Sequence, residues 1–241
     1  MRDLFDLRAI KPNVRKLSGM REVIYDREWL KKTSNIELYY MYRNLSLNYN
    51  DKKKITENHI RYDITVIPPR NLGKEFVKTA GHYHPLVPGT KLSYPEVYEV
   101  LDGRAHYLLQ KVEGNRVLDV VLIDAKKRDK VLIPPDYGHI TINPSNETLK
   151  MANWISDAFE SVYEPIEKMH GGAYFELTNG KFVKNTAYKK IPELRKIKPA
   201  EVPEFGLLKN KNMYGLVGNL EKLDFLNNPQ SYKKIFEQVY A

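Results

Sequence analysis

Between Ile36 and Ile155 the sequence is cut into short apolar or alternating runs, each stopped by a turn signal before it reaches the length of an ordinary helix. Pro68-Pro69 and Pro134-Pro135 end two of them, and Asn71-Leu-Gly73, Asp102-Gly103 and Glu113-Gly-Asn115 turn others. Ile60, Tyr62, Ile64 and Val66 alternate with Arg61, Asp63 and Thr65, which predicts a strand with one apolar and one polar face. Ile36–Tyr42, Phe76–His84, Glu96–Leu101, Ala105–Lys111, Val117–Ile123, Val131–Ile133, His139–Asn143 and Leu149–Ile155 are further expected strands. Asp102-Gly103 between two apolar runs reads as a hairpin turn, because such turns need positive φ. Asn48 to Asn58, with three lysines, reads as a hairpin loop. So many short strands with so little helix predict an all-β barrel or sandwich. In a small barrel the outer face can pack on other structure while the inner face lines a ligand cavity, so Thr65 is a candidate cavity residue.

Less regular pieces flank this core. Asp26 can cap a brief helix running to Lys32. Ala173–Leu177 and Lys181–Lys184 form a last hairpin turned by Asn179-Gly180, followed by a linker-like stretch containing Pro192, Pro199 and Pro203. Tyr232, Ile235, Phe236, Val239 and Tyr240 fall at helical spacing and predict a short amphipathic helix packed on the barrel or on a second subunit. The expected organisation is a barrel domain over 1–190, including N-terminal strands and a short helix, and a linker with a C-terminal helical extension over 191–241.

The chemistry concentrates between residues 79 and 143. Residues i and i+2 of a strand share a face, so His82 and His84 point the same way while Tyr83 points oppositely. Glu96 and His139, on other expected strands, complete a set of three imidazoles and one carboxylate. Fe, Mn, Ni, Co or Zn as a divalent ion accepts such donors and keeps positions open for a substrate. Glu99 lies three residues beyond Glu96 and must face the opposite side of the strand, so one of the two is the ligand; Glu96, nearer the loop, is favoured. His59, His106 and His170 have no such partners and read as structural or surface residues.

The chain has no cysteine, which removes thiolate ligands and disulfides. Its start, Met-Arg-Asp-Leu-Phe-Asp-Leu-Arg, has no apolar leader core, and no run is apolar and long enough to span a bilayer, so a cytoplasmic, membrane-free protein is expected. The net charge of +9 raises the question of nucleic acid. The basic runs Lys52–Lys54, Lys126–Arg128, Lys189-Lys190 and Arg195-Lys196 are scattered and not interleaved with aromatics, so no nucleic-acid partner is expected; positive charge also suits a phosphorylated substrate.

His82-x-His84, Glu96-x6-Gly103 and Pro134-x4-His139-x3-Asn143 resemble the two cupin motifs. The fuller stretch from Gly73-Lys-Glu-Phe through Gly-His-Tyr-His, Pro-Glu-Val-Tyr and Leu-Leu-Gln resembles the cupin-type glucose-6-phosphate isomerases of archaea, from about Val14 to about Tyr163. The resemblance implies a jelly-roll barrel and a metal-dependent aldose-ketose isomerase that interconverts glucose 6-phosphate and fructose 6-phosphate, as a homodimer. By position it implies His82, His84, Glu96 and His139 as metal ligands and Glu96 as the catalytic base. Thr65, Thr79 and Gly81 would line a phosphate pocket in which hydroxyls and a backbone N–H replace a charged clamp, and Tyr98 and Tyr163 would contact the sugar. The chain departs from the pattern in the long insert Pro85–Pro95, in Phe76 and Asp136 at positions expected to be glycine, and in Ser161 where a histidine near the substrate is expected. The rival readings are another metal-dependent cupin enzyme, acting on a different sugar phosphate or as a dioxygenase, and a non-catalytic sugar-binding cupin.

Overall fold

The structure is a computed structural model, and it describes residues 4–240. The chain opens with β1 (Asn13–Lys16), α1 (Arg27–Lys32), β2 (Glu37–Tyr42), α2 (Tyr49–Glu57) and β3 (Ile60–Ile67). The start of α1 is set by Asp26, whose carboxylate accepts from Trp29 N at 3.0 Å and so satisfies one of the donors a helix start leaves over. The expected loop at Asn48–Asn58 is instead the helix α2. Asn48 caps it by accepting from Asp51 N at 2.9 Å, Ile55 turns into the core, and Lys52, Lys53 and Lys54 stay on the solvent side.

There follow β4 (Asn71–Leu72), β5 (Glu75–Phe76), β6 (Glu96–Asp102), β7 (Arg104–Glu113), β8 (Arg116–Lys126), β9 (Lys130–Ile133), β10 (Tyr137–Ile142) and β11 (Leu149–Ser156). The last elements are α3 (Glu164–Lys168), β12 (Tyr174–Glu176), β13 (Phe182–Lys184), β14 (Arg195–Ile197) and α4 (Lys233–Val239). Two sheets carry the barrel, in the orders β1-β2-β3-β11-β6-β9 and β10-β7-β8-β14. This is the all-β cupin barrel, with a few short peripheral helices, that the sequence led us to expect.

Two local expectations change. Asp102-Gly103 is not a hairpin: β6 and β7 belong to different sheets, and the glycine, at φ +76°, makes the corner between them. A Cβ there would lie 2.6 Å from the Thr148 carbonyl oxygen, so the close backbone approach also demands glycine. The expected strand Phe76–His84 pairs regularly only at its start, in β5. Beyond it the chain makes single bridges, Lys78 to Ile142 and His82 to His139, because Gly81 at φ +79° breaks the pleat.

The inner faces of the sheets meet in one core, where Val100, Val131 and Met151 of the first pack with Tyr107, Leu109 and Ile140 of the second. The outer face of the first sheet is also apolar. Tyr62, Ile64, Val97, Leu132 and Trp154 are covered by Phe205, Met213, Tyr214, Phe225 and Phe236 from the C-terminal stretch. Trp154 Nε1 donates to the Met213 carbonyl at 3.0 Å, and Phe205 stacks on Phe225 at 4.1 Å. The helix expected near the end starts as a 3-10 turn at Pro229–Tyr232 and continues as α4. It lies on the barrel, with the Tyr240 hydroxyl donating to Leu132 O at 2.6 Å. The apolar face of β3 is thus buried under this cover, which leaves Arg61, Asp63 and Thr65 for the inside.

Candidate active site

Strict alternation along β6 decides between the two glutamates. Glu96 and Tyr98 face inward, whereas Val97 and Leu101 pack under the C-terminal cover. Glu99 shares that outer side, accepting from Lys130 Nζ at 3.1 Å and from Met213 N at 2.7 Å. It is a buried structural ion pair. Glu96 is brought together with His82, His84 and His139, all four offering a ligand atom within 4.8 Å of one another. His139 comes from β10 in the opposite sheet, and the backbone bridge to His82 sets the imidazoles side by side.

Glu96 Oε2 lies 3.4 Å from His84 Nε2 and 3.3 Å from His139 Nε2. Glu96 Oε2, His84 Nε2 and His139 Nδ1 are fully buried without a hydrogen-bond partner among the described residues. Orphaned buried donors and acceptors are costly. Glu96 Oε2 and His84 Nε2 are left to one another, with His139 Nε2 beside them, and three imidazoles and a carboxylate so grouped fit a shared divalent cation.

The electrostatics agree. Burial pushes the His82 and His139 imidazoles below the usual histidine range, His82 strongly, with the neighbouring imidazoles adding to the effect, so both remain neutral and ready to ligate. Burial alone would raise Glu96, but the flanking His139 and His84 imidazoles outweigh it and hold the carboxyl well below its usual value. Tyr98, raised well above the ordinary tyrosine value by burial and then by Glu96, keeps its proton 3.1 Å from His139 Nε2.

The Pro85–Pro95 insert is part of this site. The Tyr94 carbonyl lies 2.8 Å from His84 Nδ1, fixing the tautomer that turns Nε2 toward Glu96, and Phe159 packs on both the His84 and the Tyr94 rings. Ser93 and Asp136 latch the insert to the barrel: Ser93 Oγ accepts from Asp136 N at 2.6 Å and Asp136 Oδ1 accepts from Ser93 N at 3.1 Å. Asp136 takes φ +70°, so the position expected to be glycine keeps a glycine-like backbone, held by the carboxylate's own bond to Ser93.

Beside the cluster is a cavity of about 50 Å³. Thr65, Thr79, Gly81, Tyr98 and Tyr163 all line it together with His82 and Glu96, and Ser161 stands on the wall as well. Thr79 Oγ1 accepts from Thr141 N at 2.9 Å, which ties this wall to β10. Among the cavity residues that sequence reasoning missed are two arginines, Arg43 and Arg61. The pocket thus contains guanidinium groups beside the hydroxyls and backbone N–H of the expected phosphate pocket. The alternation of β3 marked Arg61 for the same face as Thr65; Arg43, in the turn after β2, had no periodic signal. His59, His106 and His170 stay outside the cluster, His106 holding Glu176 at 2.8 Å.

Comparison with known proteins follows the same lines. The family described as Glucose-6-phosphate isomerase (GPI) matches residues 14–193. The glucose-6-phosphate isomerase of Pyrococcus furiosus is 31% identical over 141 residues, 58% of this chain and 68% of that protein. That of Thermococcus litoralis is 31% identical over 137 residues, 57% of this chain and 65% of that protein. Among solved structures, an oxalate decarboxylase of Lactobacillus farciminis in a formate complex aligns with a TM-score of 0.40 and 16% identity, over 65% of this chain and 34% of its own. The match over residues 14–193 takes in β2 to β13 and all four residues of the cluster, and the chain belongs to the glucose-6-phosphate isomerase family.

Proposed function

We propose that this chain is a metal-dependent aldose-ketose isomerase that interconverts glucose 6-phosphate and fructose 6-phosphate, the step shared by glycolysis and gluconeogenesis, and that it works as a cytoplasmic homodimer. The observation that carries the reading is the buried group His82, His84, Glu96 and His139 on the wall of a cavity lined by hydroxyls, in a chain of this family. These four residues would hold Fe, Mn, Ni, Co or Zn. When bound, the ion supplies a positive charge that polarises the carbonyl and stabilises negative charge developing on the first two oxygens of the open-chain sugar.

The chain's own residues do the rest. Glu96, kept ionised, is the proton acceptor for the carbon next to the carbonyl and returns the proton to its neighbour. Tyr98, kept protonated, orients His139 and offers a hydroxyl to the sugar. Tyr163, whose ring carries the Arg15 guanidinium at 5.2 Å, closes the side of the cavity and contacts the sugar. Thr65, Thr79 and the backbone at Gly81 would receive the phosphate end. The cavity is small for a hexose phosphate, so side chains on its wall must move to admit one.

The test is conversion of fructose 6-phosphate to glucose 6-phosphate by purified protein before and after chelation and metal return, with elemental analysis of the active form. Running the reaction in deuterated water reads the mechanism: deuterium entering the product supports proton transfer through Glu96, and retention of the original hydrogen assigns the step to direct hydride transfer. Absence of turnover at any metal loading would refute the isomerase reading.

A further inference from the structure

We infer that Arg61 and Arg43, paired on the buried Asp63, form a guanidinium clamp for a phosphate monoester, and that this clamp, more than the threonine hydroxyls, decides whether a sugar carries a phosphate. The inference rests on the isomerase reading for the identity of the sugar but not for the existence of the anion site.

Asp63 is 1% exposed, and its two oxygens are fully used. Oδ2 accepts from Arg43 Nη1 at 2.9 Å and from Arg61 Nε at 3.0 Å, while Oδ1 accepts from Asn44 N at 2.9 Å. Two guanidinium groups therefore share one carboxylate, and the trio has a net positive charge at the wall of the cavity. Arg61 has 17% of its side chain exposed, lines the cavity, and makes one hydrogen bond among the described residues, through Nε. Glu96 is the other carboxylate on this wall, and once it serves a cation an anion beside the guanidinium pair supplies the charge then missing. The planar fork of Arg61, fixed through Nε, suits two phosphate oxygens at once.

Register places the clamp at a useful distance. Ile155 of β11 lies between Arg61 of β3 and Glu96 of β6 in one lateral row, so the backbones of Arg61 and Glu96 are two strand spacings, about 10 Å, apart. A six-carbon sugar whose carbonyl end rests at Glu96 carries its phosphate toward Arg61, with Thr65 four residues further along the same strand face, beyond Asp63. Asp63 is the positioning residue: it keeps Arg61 from folding back onto Glu96.

The test uses the full-length, metal-loaded protein and reads binding without turnover. Calorimetric titration with fructose 6-phosphate, inorganic phosphate and unphosphorylated fructose is compared for wild type, R61Q, R61K and R43Q, with Mn(II) affinity by electron paramagnetic resonance and melting temperature as controls. The expected result is a ten- to hundredfold weaker fructose 6-phosphate and phosphate affinity in R61Q, as befits loss of a charge-assisted pair. R61K should recover part of it, R43Q should show a smaller loss, and Mn(II) and fructose binding should be unchanged. Unchanged phosphate affinity in both R61Q and R43Q, or no phosphate binding by wild type, would overturn the clamp. Should R61Q not fold, R61K and R43Q carry the same comparison. A wild type that binds phosphate through Arg61 but never isomerises sugar would leave the clamp standing and refute the isomerase reading alone.

Discussion

His82 and His139 lie opposite each other across an isolated antiparallel bridge, each backbone N–H donating to the other's carbonyl at 3.2 and 3.0 Å, with their rings 4.4 Å apart. Four hydrogen-bonding groups of the backbone thus fix the relation of two imidazoles before any ion is bound. A site preorganised in this way should be stabilised on metal addition by mass action, by about 3–4 kcal/mol at a hundred to a thousand times the dissociation constant. The expected outcome is a melting temperature that rises by several degrees with Mn(II) and falls back with chelator. In His139→Ala the rise should vanish while the apo protein still melts cooperatively.

The two glutamates of β6 should fail differently. Glu96→Gln should remove metal binding and turnover. Glu99→Gln should keep the metal but leave Lys130 buried without its counter-charge, an effect of about 3–5 kcal/mol for breaking a buried pair. Urea midpoints and metal content, measured on both variants, check the contrast; equal metal loss in the two would contradict the assignment.

Asp119 ties the barrel to the C-terminal stretch. It accepts from Arg195 Nε at 2.9 Å and Nη2 at 2.8 Å and from the Tyr137 hydroxyl at 2.8 Å. The Arg195 hydrogen bonds depress its carboxyl below the usual range. A depressed folded value means stability that is present above the unfolded aspartate value, about 3.9, and lost as pH falls through the lower folded one. Asp119→Asn should therefore melt roughly 2–4 °C below wild type at pH 7, and the gap should close toward pH 2. A gap that widens in acid would reverse the sign.

Phe225 is fully buried on the outer face of the first sheet, stacked on Phe205. Phe225→Ala should cost about 3–5 kcal/mol and lower the melting temperature by roughly 6–20 °C on the usual scaling. Activity per folded molecule should be preserved, because the inner face of β3 and β6 is untouched. Chemical denaturation together with specific activity below the transition measures both.

Much of the site was legible in the sequence. His-x-His, a carboxylate ahead of a corner glycine and a histidine after Pro-Pro are local patterns; period-two alternation showed that Glu96 and Glu99 face opposite ways, and nearness to the loop favoured Glu96. What was misread depended on distant partners. Asp102-Gly103 has the local signature of a hairpin, but only the second sheet's position makes it a corner. Asn48–Asn58 is polar throughout, and its helix shows itself only through the Asn48 cap and the burial of one residue, Ile55.

The sequence by itself determined the alternation that sends Thr65, Glu96 and Tyr98 to one face and Tyr62, Val97 and Trp154 to the other, since the geometry of a strand needs no partner to do so. Tertiary structure decided what each face meets. It brought Arg43 and Arg61 onto a single carboxylate, turned the Tyr94 carbonyl of the insert onto His84, and laid the C-terminal stretch over the outer apolar face. Such contacts join residues far apart in the chain, and which of them form depends on how the layers pack, which no local pattern encodes.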